Sequence, residues 1–367
     1  MSGPLILLAA GGTGGHVFPA EALAESLLAR GCRLALVTDK RGSAYGGRLG
    51  AMDTYRIRAG GIAGRSLINR LRAMVDLGLG VVQAFLLLAR LRPAAVVGFG
   101  GYASFPTVKA ATLRKVPTVI HEQNAVLGRA NRMLAKSVSR VALAFPETKF
   151  APADAAKVQH VGMPVRPAIL AAREAAYAAP EPGQPLRILV MGGSQGAAVF
   201  SAIVPQAVAL LPEGQQQRLH ISQQCRPEDL DKVTSDYAAL SATTELRTFF
   251  EDVPDRLAAA HLVITRSGAS SLAEVMVVGR PSILVPYPYA IDDHQTANAR
   301  ALGAAGGAWL LSGDAFTAQA LADYLTQFLA QPETLAATAA VARGAGVPDA
   351  AGRLADCVLE TMGGQGS

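Results

Sequence analysis

The sequence predicts two doubly wound α/β domains, each a parallel sheet with helices on both faces, that face each other across a cleft. With 367 residues, the chain is too long for one ordinary core. Short aliphatic runs alternate with longer helical patterns, as in β-α-β units. An apolar run followed by a glycine-rich turn occurs at 5–15 and again at 187–197. Ligands of such sheets bind beyond the carboxyl ends of the strands, so the cleft is the expected site.

The predicted elements follow in order along the chain. The first half has strand-like runs at 5–10, 33–38, 94–99, 117–122 and 140–145, with helices at 16–30 and 127–136. Gly31 follows the first helix at a position that favours glycine as a C-cap. The second half has strands at 187–191, 218–222, 244–249, 261–265, 281–286 and 307–311, and helices near 317–330, 332–343 and 349–361.

The domain boundaries follow from the composition. Residues 167–186 carry four prolines and are predicted to be a linker. The first domain is predicted to comprise 1–165 and the second 166–344. A C-terminal helix at about 345–363 is expected to pack back on the first domain.

The cysteines and the N-terminus bear on the cellular compartment. Cys32, Cys225 and Cys357 are far apart and odd in number, which indicates neither a disulfide framework nor a zinc site and favours a reducing compartment. No basic stretch precedes the first apolar run, which is unlike a secretory signal and is typical of a first strand.

The charge is divided unequally along the chain. Residues 1–160 hold 21 Lys and Arg against 8 Asp and Glu, whereas 161–367 hold 13 against 20. The excess of +13 in the first half indicates an anionic partner such as phospholipid, pyrophosphate or nucleic acid. An incidental surface bias is the alternative.

Three strand-ending turns are rich in glycine, at 11–15, 98–102 and 192–196. Such turns let a backbone approach a phosphate at a helix N-terminus, although any single one can serve turn geometry alone. The first lacks the last glycine of a dinucleotide fingerprint, even though Asp39 stands where a ribose-binding acid would. No P-loop motif occurs, which excludes a P-loop NTPase.

A fourth element, 266–274, opens a helix after the strand at 261–265. Its small residues expose backbone donors that favour a phosphate, and Glu274 is placed to accept from ribose hydroxyls. The alternative is that Ser267 is merely an N-cap and Glu274 a solvated acid.

Seven motifs occur along the chain: GGTGGHVFPA (11–20), GFGGYASFP (98–106), HEQNAVLGRANR (121–132), GMPVRP (162–167), GGSQGA (192–197), RSGASSLAE (266–274) and DDHQTANA (292–299). Together they resemble the MurG family, the undecaprenyl-diphosphomuramoylpentapeptide β-N-acetylglucosaminyltransferases of GT-B architecture. The resemblance runs in order from about residue 5 to about 350.

The resemblance implies that the second domain binds UDP-GlcNAc and the basic first domain binds a lipid-linked acceptor. The implied donor contacts are Thr13, Gly14, Gly15, Asn124, Arg166, Ser194, Phe250 against the uracil, Ala269, Ser270, Glu274 and Gln295, which lies beside His294. The implied acceptor contacts are Gly100, Gly101 and Tyr102. Met163, Ala198 and Ser201 depart from residues common in the family.

The implied reaction is transfer with inversion to a β-1,4 linkage, which requires a base for the acceptor hydroxyl and stabilisation of departing UDP. His16 is the first candidate for the base, and His121 and Glu122 are the second candidates. The leaving group is expected to be met by the helix start at 267–270, by Ser194 and by Arg166. No cofactor and no obligatory metal are expected.

The stretch 62–93 is apolar with a rim of arginines. It is predicted to be too short and too broken by Asp76 and glycines to span a bilayer. A basic-rimmed apolar surface can dock on anionic lipid, whereas a buried helix is the alternative for Val81, Val82, Phe85 and Leu86. The arginines are Arg65, Arg70, Arg72, Arg90 and Arg92.

The expected partners are UDP-GlcNAc, a polyprenyl-pyrophosphate-linked muramyl peptide (lipid I) and an anionic membrane surface, with no nucleic acid. The resemblance places the protein peripherally on the cytoplasmic face of the inner membrane, in peptidoglycan synthesis, cell shape and cell division. The alternatives are another UDP-sugar enzyme of the same architecture, such as a UDP-GlcNAc epimerase, and a nucleotide-sugar-binding scaffold without turnover.

Overall fold

The computed structural model describes residues 3–11, 14–39, 47–60, 67–181, 183–193 and 197–363. The chain forms two compact units. The first unit comprises Met1–Arg166 and Val347–Ser367, and the second comprises Pro167–Gly346. The chain therefore leaves the first unit once and returns to it at the end.

The first unit contains a seven-stranded parallel sheet in the order β3-β2-β1-β4-β5-β6-β7. Strand order reverses between β1 and β4, which are neighbours, and this switch point is where doubly wound sheets bind ligands. The strands are β1 (Leu5–Ala9), β2 (Arg33–Thr38), β3 (Asp53–Arg56), β4 (Ala95–Gly98), β5 (Thr118–Glu122), β6 (Arg140–Leu143) and β7 (Val158–His160).

Helices cover both faces of this sheet. One face packs on α1 and the C-terminal helix α15, and the other packs on α3, α4 and α5. The helices of the first unit are α1 (Gly14–Ala29), α2 (Gly47–Gly50), α3 (Leu67–Leu91), α4 (Gly101–Leu113), α5 (Arg129–Ala135) and α15 (Ala350–Gly363).

Helix α1 ends where Gly31 was predicted to cap it. Gly31 has φ +79, and the amides of Gly31 and Cys32 donate to the carbonyls of Leu28 and Leu27. Glycine reaches this left-handed conformation without a steric cost, so it closes the helix and starts β2.

The second unit has a six-stranded parallel sheet in the order β10-β9-β8-β11-β12-β13. Its largest apolar cluster lies between this sheet and α7, α9 and α13. The strands are β8 (Leu186–Met191), β9 (Leu219–Gln224), β10 (Thr243–Arg247), β11 (Leu262–Thr265), β12 (Ser282–Leu284) and β13 (Trp309–Leu310). The helices are α6 (Pro167–Ala172), α7 (Ala198–Ala209), α8 (Glu213–Gln216), α9 (Leu230–Ala238), α10 (Val253–Ala259), α11 (Ala269–Val278), α12 (His294–Gly303), α13 (Ala318–Ala330) and α14 (Glu333–Ala345).

The prediction that 167–186 is a linker is wrong. Its first residues form α6, in which Ile169 is fully buried. Further along, the guanidinium of Arg173 donates to the carbonyl of Val277, and the hydroxyl of Tyr177 donates to the carbonyl of His261. The prolines therefore belong to a segment that packs on the second unit.

The prediction that 62–93 is too short and too broken by Asp76 and glycines to span a bilayer is also wrong, as far as length and composition decide. α3 runs through Asp76 and the glycines for 25 residues, and Leu71–Leu91 within it is long and apolar enough to cross a membrane. One side of α3, which includes Leu77 and Leu88, packs in the first unit's core. By length and composition alone, core helices pass the same test.

The outer side of α3 is apolar and exposed. Val82 is 58% exposed and Leu86 is 64% exposed, Phe85 is exposed as well, and Val81 is half-buried. The alternative that these four side chains are buried is therefore wrong for three of them. We call this surface the α3 face; it comprises Leu71, Met74, Val75, Leu79, Val82, Phe85 and Leu86.

The C-terminal helix belongs to the first unit. α15 packs against α1 and against β4, β5 and β6. The guanidinium of Arg30 in α1 lies 2.6 Å from the Asp356 carboxylate and also donates to the carbonyl of Gly352. The last helix thus completes one face of the first sheet.

Candidate active site

A cluster of polar groups lies where β1, β4 and β5 end in the first unit. His16 stands in the first turn of α1, after β1, and Gly100 and Gly101 connect β4 to α4. Gln123 directly follows β5. Because these three strands are neighbours in the sheet, their carboxyl-end loops meet, and the imidazole of His16 comes within 3.2 Å of the Gln123 amide.

The glycines of the β4–α4 turn lie against the His16 ring. Gly100 has φ +84 and Gly101 has φ +69, a backbone region that side chains other than glycine rarely adopt. A β-carbon on Gly101 would lie 3.5 Å from His16 Nε2, and one on Gly100 would lie 3.5 Å from His16 Cε1. Glycine thus supplies both the conformation and the space beside the imidazole.

Gln123 bridges three segments of the first unit. Its Nε2 donates to the carbonyls of Phe99 at 3.0 Å and His121 at 3.1 Å, and its Oε1 lies 3.2 Å from His16 Nδ1. The side chain of Gln123 is 3% exposed. The sequence analysis did not select Gln123, although it stands in the quoted HEQN segment.

His121 is fully buried and uses both ring nitrogens. Its Nε2 lies 3.0 Å from the Gly162 carbonyl, and its Nδ1 lies 3.2 Å from Gln123 Nε2. Burial lowers the pKa of His121 to about 4; the hydrogen bond to Gly162 opposes this shift and the charge of His16 adds to it. His121 is therefore neutral near pH 7.

Glu122 holds the loop that follows β5. Its carboxylate accepts from the backbone N–H and the side-chain amide of Asn124, from the backbone N–H of Gly128 at 2.8 Å, and from the amide of Asn131 at 2.8 Å. Glu122 is buried. As candidates for proton transfer, His16, His121 and Glu122 all stay predictions, and His16 is the most exposed of the three.

The other predicted residues of the first unit lie around this cluster. Tyr102 is half-buried against the apolar cluster beneath α3 and α4. The guanidinium of Arg166 lies 5.3 Å from the ring centroid of Phe18. Asp39 is buried at the end of β2, with its carboxylate 3.6 Å from the β-carbon position of Gly11. Gly14 and Gly15 are the first residues of α1.

In the second unit, α11 begins without a side-chain cap. Gly268 occupies the N-cap position and makes no side-chain cap hydrogen bond, and Ala269 and Ser270 form the first turn. The hydroxyl of Ser267 instead donates to the Gln295 carbonyl at 2.8 Å. The alternative that Ser267 is the N-cap is therefore wrong, and the helix start remains a place where backbone N–H groups favour an anion.

Three further predicted residues surround this helix start. Glu274 is half-buried one turn into α11, and Gln295 Oε1 accepts from the backbone N–H of Tyr287 at 2.9 Å. The hydroxyl of Ser270 is buried and has no hydrogen-bond partner in the part of the chain that the structure describes. The ring of His294 donates to the Ile291 carbonyl, which closes the turn before α12.

Phe250 is turned inward. Its ring is 4% exposed and lies 4.0 Å below the guanidinium of Arg256, which in turn bonds Glu245 and Asp252. The neighbouring Phe249 is 68% exposed. A role for Phe250 against a uracil stays a prediction. With the ring in this position, the contact with the uracil would be made through the backbone of Phe250.

Two predicted donor residues, Thr13 and Ser194, lie outside the described residues. Within the described ranges, no group of three or more His, Cys, Asp and Glu side chains is placed to hold a metal ion. The expectation of a metal-free reaction stays a prediction.

Comparison with known proteins gives the family. Residues 6–143 match the glycosyltransferase family 28 N-terminal domain, and residues 187–354 match its C-terminal domain. A Paramagnetospirillum magneticum protein is 58% identical over 97% of this chain and 96% of its own length. It is named UDP-N-acetylglucosamine–N-acetylmuramyl-(pentapeptide) pyrophosphoryl-undecaprenol N-acetylglucosamine transferase.

The chain belongs to the MurG family within glycosyltransferase family 28.

Solved structures agree with this family 28 assignment. The crystal structure of Acinetobacter baumannii MurG matches with a TM-score of 0.79 at 30% identity, covering 97% of this chain and 99% of that one. The prediction of two doubly wound domains of GT-B class is thereby confirmed. That the two domains face each other across a cleft stays a prediction.

A UDP-GlcNAc 2-epimerase from Neisseria meningitidis, bound to UDP-GlcNAc, matches with a TM-score of 0.66 over 97% of this chain and all of that one. Its identity to this chain is 13%, so the likeness shows the fold alone. The epimerase alternative therefore gains nothing beyond the fold that it shares with family 28.

Proposed function

We propose that this protein transfers N-acetylglucosamine from UDP-GlcNAc to a muramyl-peptide pyrophosphoryl-undecaprenol acceptor, lipid I, and so forms lipid II. The observation that carries this is the 58% identity over nearly the whole chain to a transferase named for that reaction. The matched 97% of the chain includes residues of both units. The protein is accordingly an N-acetylglucosaminyltransferase.

His16 is the general base of the proposed reaction. The acceptor hydroxyl loses its proton to the imidazole as its oxygen attacks the anomeric carbon, and the bond from that carbon to the UDP oxygen breaks. Attack opposite the leaving group gives inversion to the β-1,4 linkage. Histidine suits this role because its pKa lies near neutral pH. The contacts of Gly100 and Gly101 support the assignment, because they leave room beside the ring.

The second unit binds the nucleotide sugar in this proposal. The uncapped start of α11 offers backbone N–H groups to the diphosphate, and the buried Ser270 hydroxyl is an additional donor there. Glu274 accepts from the ribose hydroxyls, and Gln295 contacts the sugar. Ser194, Arg166, Asn124, Thr13, Gly14 and Gly15 complete the donor set, as the family resemblance implies.

The first unit binds the lipid-linked acceptor. Its sequence carries the positive charge, with 21 basic against 8 acidic residues in 1–160, which suits a pyrophosphate. Gly100, Gly101 and Tyr102 are the proposed contacts. Their backbone lies beside His16, where an acceptor hydroxyl would have to be held.

A transfer assay tests the assignment. Purified protein is incubated with labelled UDP-GlcNAc and a short-chain lipid-linked muramyl peptide, and the disaccharide product is measured. The His16→Ala variant should lose at least about a hundredfold in kcat, because general acid–base catalysis contributes that much. His220→Ala, at an exposed position in β9, serves as the control. Product formation without the lipid acceptor would overturn the assignment.

The proposal includes peripheral attachment to the cytoplasmic face of the inner membrane. The α3 face presents apolar side chains outward. The guanidinium of Arg114 lies over one of them, 4.7 Å from the ring centroid of Phe85. Arg72 and Arg90 on the same helix are exposed, whereas Arg65 and the side chain of Arg70 lie outside the described residues. Each basic residue near an anionic surface contributes roughly 1 kcal/mol.

Vesicle co-sedimentation tests the attachment. Vesicles with anionic lipid should bind the protein at low salt and release most of it at high salt. Replacing Arg65, Arg70 and Arg72 with Gln should weaken binding by roughly a hundredfold, at about 1 kcal/mol each. Arg300→Gln on an exposed position of the second unit is the matched control. Equal binding of the triple variant and wild type would contradict the proposal.

We further propose that the reaction places this protein in peptidoglycan synthesis, and through it in cell shape and cell division, without a nucleic-acid partner. No cofactor or metal is required, because helix and loop N–H groups and Arg166 stabilise the leaving diphosphate. Full activity in the presence of EDTA is the expected result. Loss of all turnover on metal removal would refute this part.

A further inference from the structure

We infer that Gln123 is a positioning residue, which fixes the protonated nitrogen of His16 and thereby presents Nε2 as the proton acceptor. The inference rests on the proposed function, in which His16 is the base. Gln123 makes no contact with substrate in this account. It acts through a hydrogen bond to the imidazole nitrogen Nδ1.

The orientation of the Gln123 amide is determined by two backbone carbonyls. Its Nε2 lies 3.0 Å from the Phe99 oxygen and 3.1 Å from the His121 oxygen. Carbonyl oxygens only accept hydrogen bonds, so the group facing them must be the NH2. The opposite orientation would place Oε1 against two acceptors inside a buried site, where a polar group without a hydrogen bond is destabilising.

This orientation determines where the proton of His16 lies. With the NH2 committed to the carbonyls, Oε1 faces His16 Nδ1 at 3.2 Å. An amide oxygen only accepts, so Nδ1 must carry the hydrogen. In a neutral imidazole the other nitrogen then holds the lone pair. That nitrogen is Nε2, which lies on the side of the ring that faces Gly101.

His121 supports Gln123 from the other side. Its Nε2 lies 3.0 Å from the Gly162 carbonyl, so Nε2 donates and Nδ1 accepts from Gln123 Nε2 at 3.2 Å. The two hydrogens of the Gln123 NH2 thus face three acceptors, so one hydrogen is shared between two of them. The chain from Gly162 through His121 and Gln123 to His16 gives the two histidines opposite tautomers. Because Gln123 and His121 are buried, water does not compete for these bonds.

The tautomer matters because a free neutral imidazole prefers the hydrogen on Nε2. Without Gln123, that preference would turn Nε2 into a donor and remove the base. In serine proteases, a wrong histidine tautomer lowers kcat by about 10⁴ when an aspartate is replaced. An amide holds the imidazole less firmly than a carboxylate, so we expect a loss of about ten- to a hundredfold here.

The first measurement uses wild-type protein. Long-range ¹H–¹⁵N spectra of the six histidines separate protonated from unprotonated ring nitrogens, and His16→Gln assigns the His16 signals. The expected result at neutral pH is Nδ1–H for His16 and Nε2–H for His121. An Nε2–H tautomer for His16 would overturn the inference without any variant having to fold.

The second measurement uses Gln123→Met, which keeps the length of the side chain and removes the amide. We expect His16 to shift toward Nε2–H and kcat to fall about ten- to a hundredfold, with the KM for UDP-GlcNAc within about twofold of wild type. Gln216→Met is the matched control, since that buried glutamine also bonds backbone groups through both ends of its amide, in the second unit. Its kcat and the His16 signals should not change.

The outcomes separate the two proposals. If His16→Gln retains activity, His16 is not the base, whatever tautomer the spectra show. If His16→Gln is inactive but Gln123→Met keeps both kcat and the Nδ1–H signal, the positioning role of Gln123 is refuted and the base assignment stands.

Discussion

A methyl group at Gly101 should damage the reaction more than the fold. In Gly101→Ala the added carbon would lie 3.5 Å from His16 Nε2 and 3.7 Å from Cδ2. These are ordinary van der Waals distances, so the imidazole keeps its place. A hydroxyl that gives its proton to Nε2 must approach within about 2.6–3.2 Å. The methyl group therefore occupies part of the space that the acceptor oxygen needs.

The two effects of this change have different magnitudes. An alanine at φ +69 costs about 1–2 kcal/mol of stability because of its left-handed backbone. For a unit of this size, that lowers Tm by roughly 2–8 °C. Displacement of a reacting atom by about 1 Å costs on the order of a hundredfold in rate. We expect kcat/KM for the lipid acceptor to fall by about that factor.

Gly306→Ala is the matched control. Gly306 has φ +81, and a β-carbon there meets nothing within 4 Å. It should lose a similar amount of stability and keep its transfer activity. Kinetics with labelled UDP-GlcNAc and calorimetric melting of both variants make the comparison. If the two variants lose equal activity, or if Gly101→Ala loses none, the placement of the acceptor hydroxyl beside Nε2 is refuted.

Three further predictions concern buried polar groups. The pKa of His121 is lowered from 6.5 to about 4, so the unfolded chain binds the proton more readily than the folded chain. The stability that is present above pH 6.5 should therefore fall by roughly 3 kcal/mol as the pH drops toward 4. Urea unfolding at pH 7, 5.5 and 4 should show a smaller fall in stability for His121→Gln than for wild type. Arg280 is buried and donates to five backbone carbonyls, those of Leu257, Val278, Gly279, Ala175 and Ala258. Arg280→Met should therefore lower the free energy of unfolding by roughly 3–5 kcal/mol and Tm by about 10 °C. An unchanged melting curve would contradict this. Glu122→Gln replaces a carboxylate acceptor with an amide whose NH2 faces the N–H groups of the loop after β5. We therefore expect kcat to fall about tenfold, whereas Glu147→Gln, at an exposed position, should retain full activity. Equal activity of the two variants would argue against a role for this loop.

The strands inside both sheets could be predicted because their residues are apolar on both faces. Runs such as Ala95–Gly98 and Leu262–Thr265 are fully buried, and short continuous apolar runs are typical of strands in a parallel sheet. The strands that the sequence analysis missed, Asp53–Arg56 and Val158–His160, lie at the two edges of the first sheet. An edge strand needs little apolar character, so composition does not reveal it.

The exposure of α3 could not be predicted because the helix is apolar on both sides. Its inner side packs in the core, and its outer side, the α3 face, is exposed. Hydrophobic periodicity finds the buried side of a helix by contrast with a polar one. With that contrast reduced, the sequence left the buried and the exposed alternatives open for Val82, Phe85 and Leu86.

The site was predicted in part for a similar reason. Glycine loops and histidines are visible in a sequence, and the structure brings His16, Gly100 and Gly101 together. The role of Gln123 depends on which way its amide turns, and the Phe99 and His121 carbonyls decide that only after folding. Likewise, the sequence does not reveal that Phe250 is buried beneath Arg256, which bonds Glu245 of β10.

The return of the chain to the first unit makes the second unit an insertion with two joints. The β-carbon position of Gly162 lies 2.5 Å from Val347, so the chain re-enters the first unit beside the strand from which it left. A short peptide bridge from Arg166 to Val347 should therefore replace all of 167–346 and yield a self-contained first unit. Grafting a relative's second unit requires both joints to be matched, whereas simple truncation after Gly346 would strip α15 from the sheet.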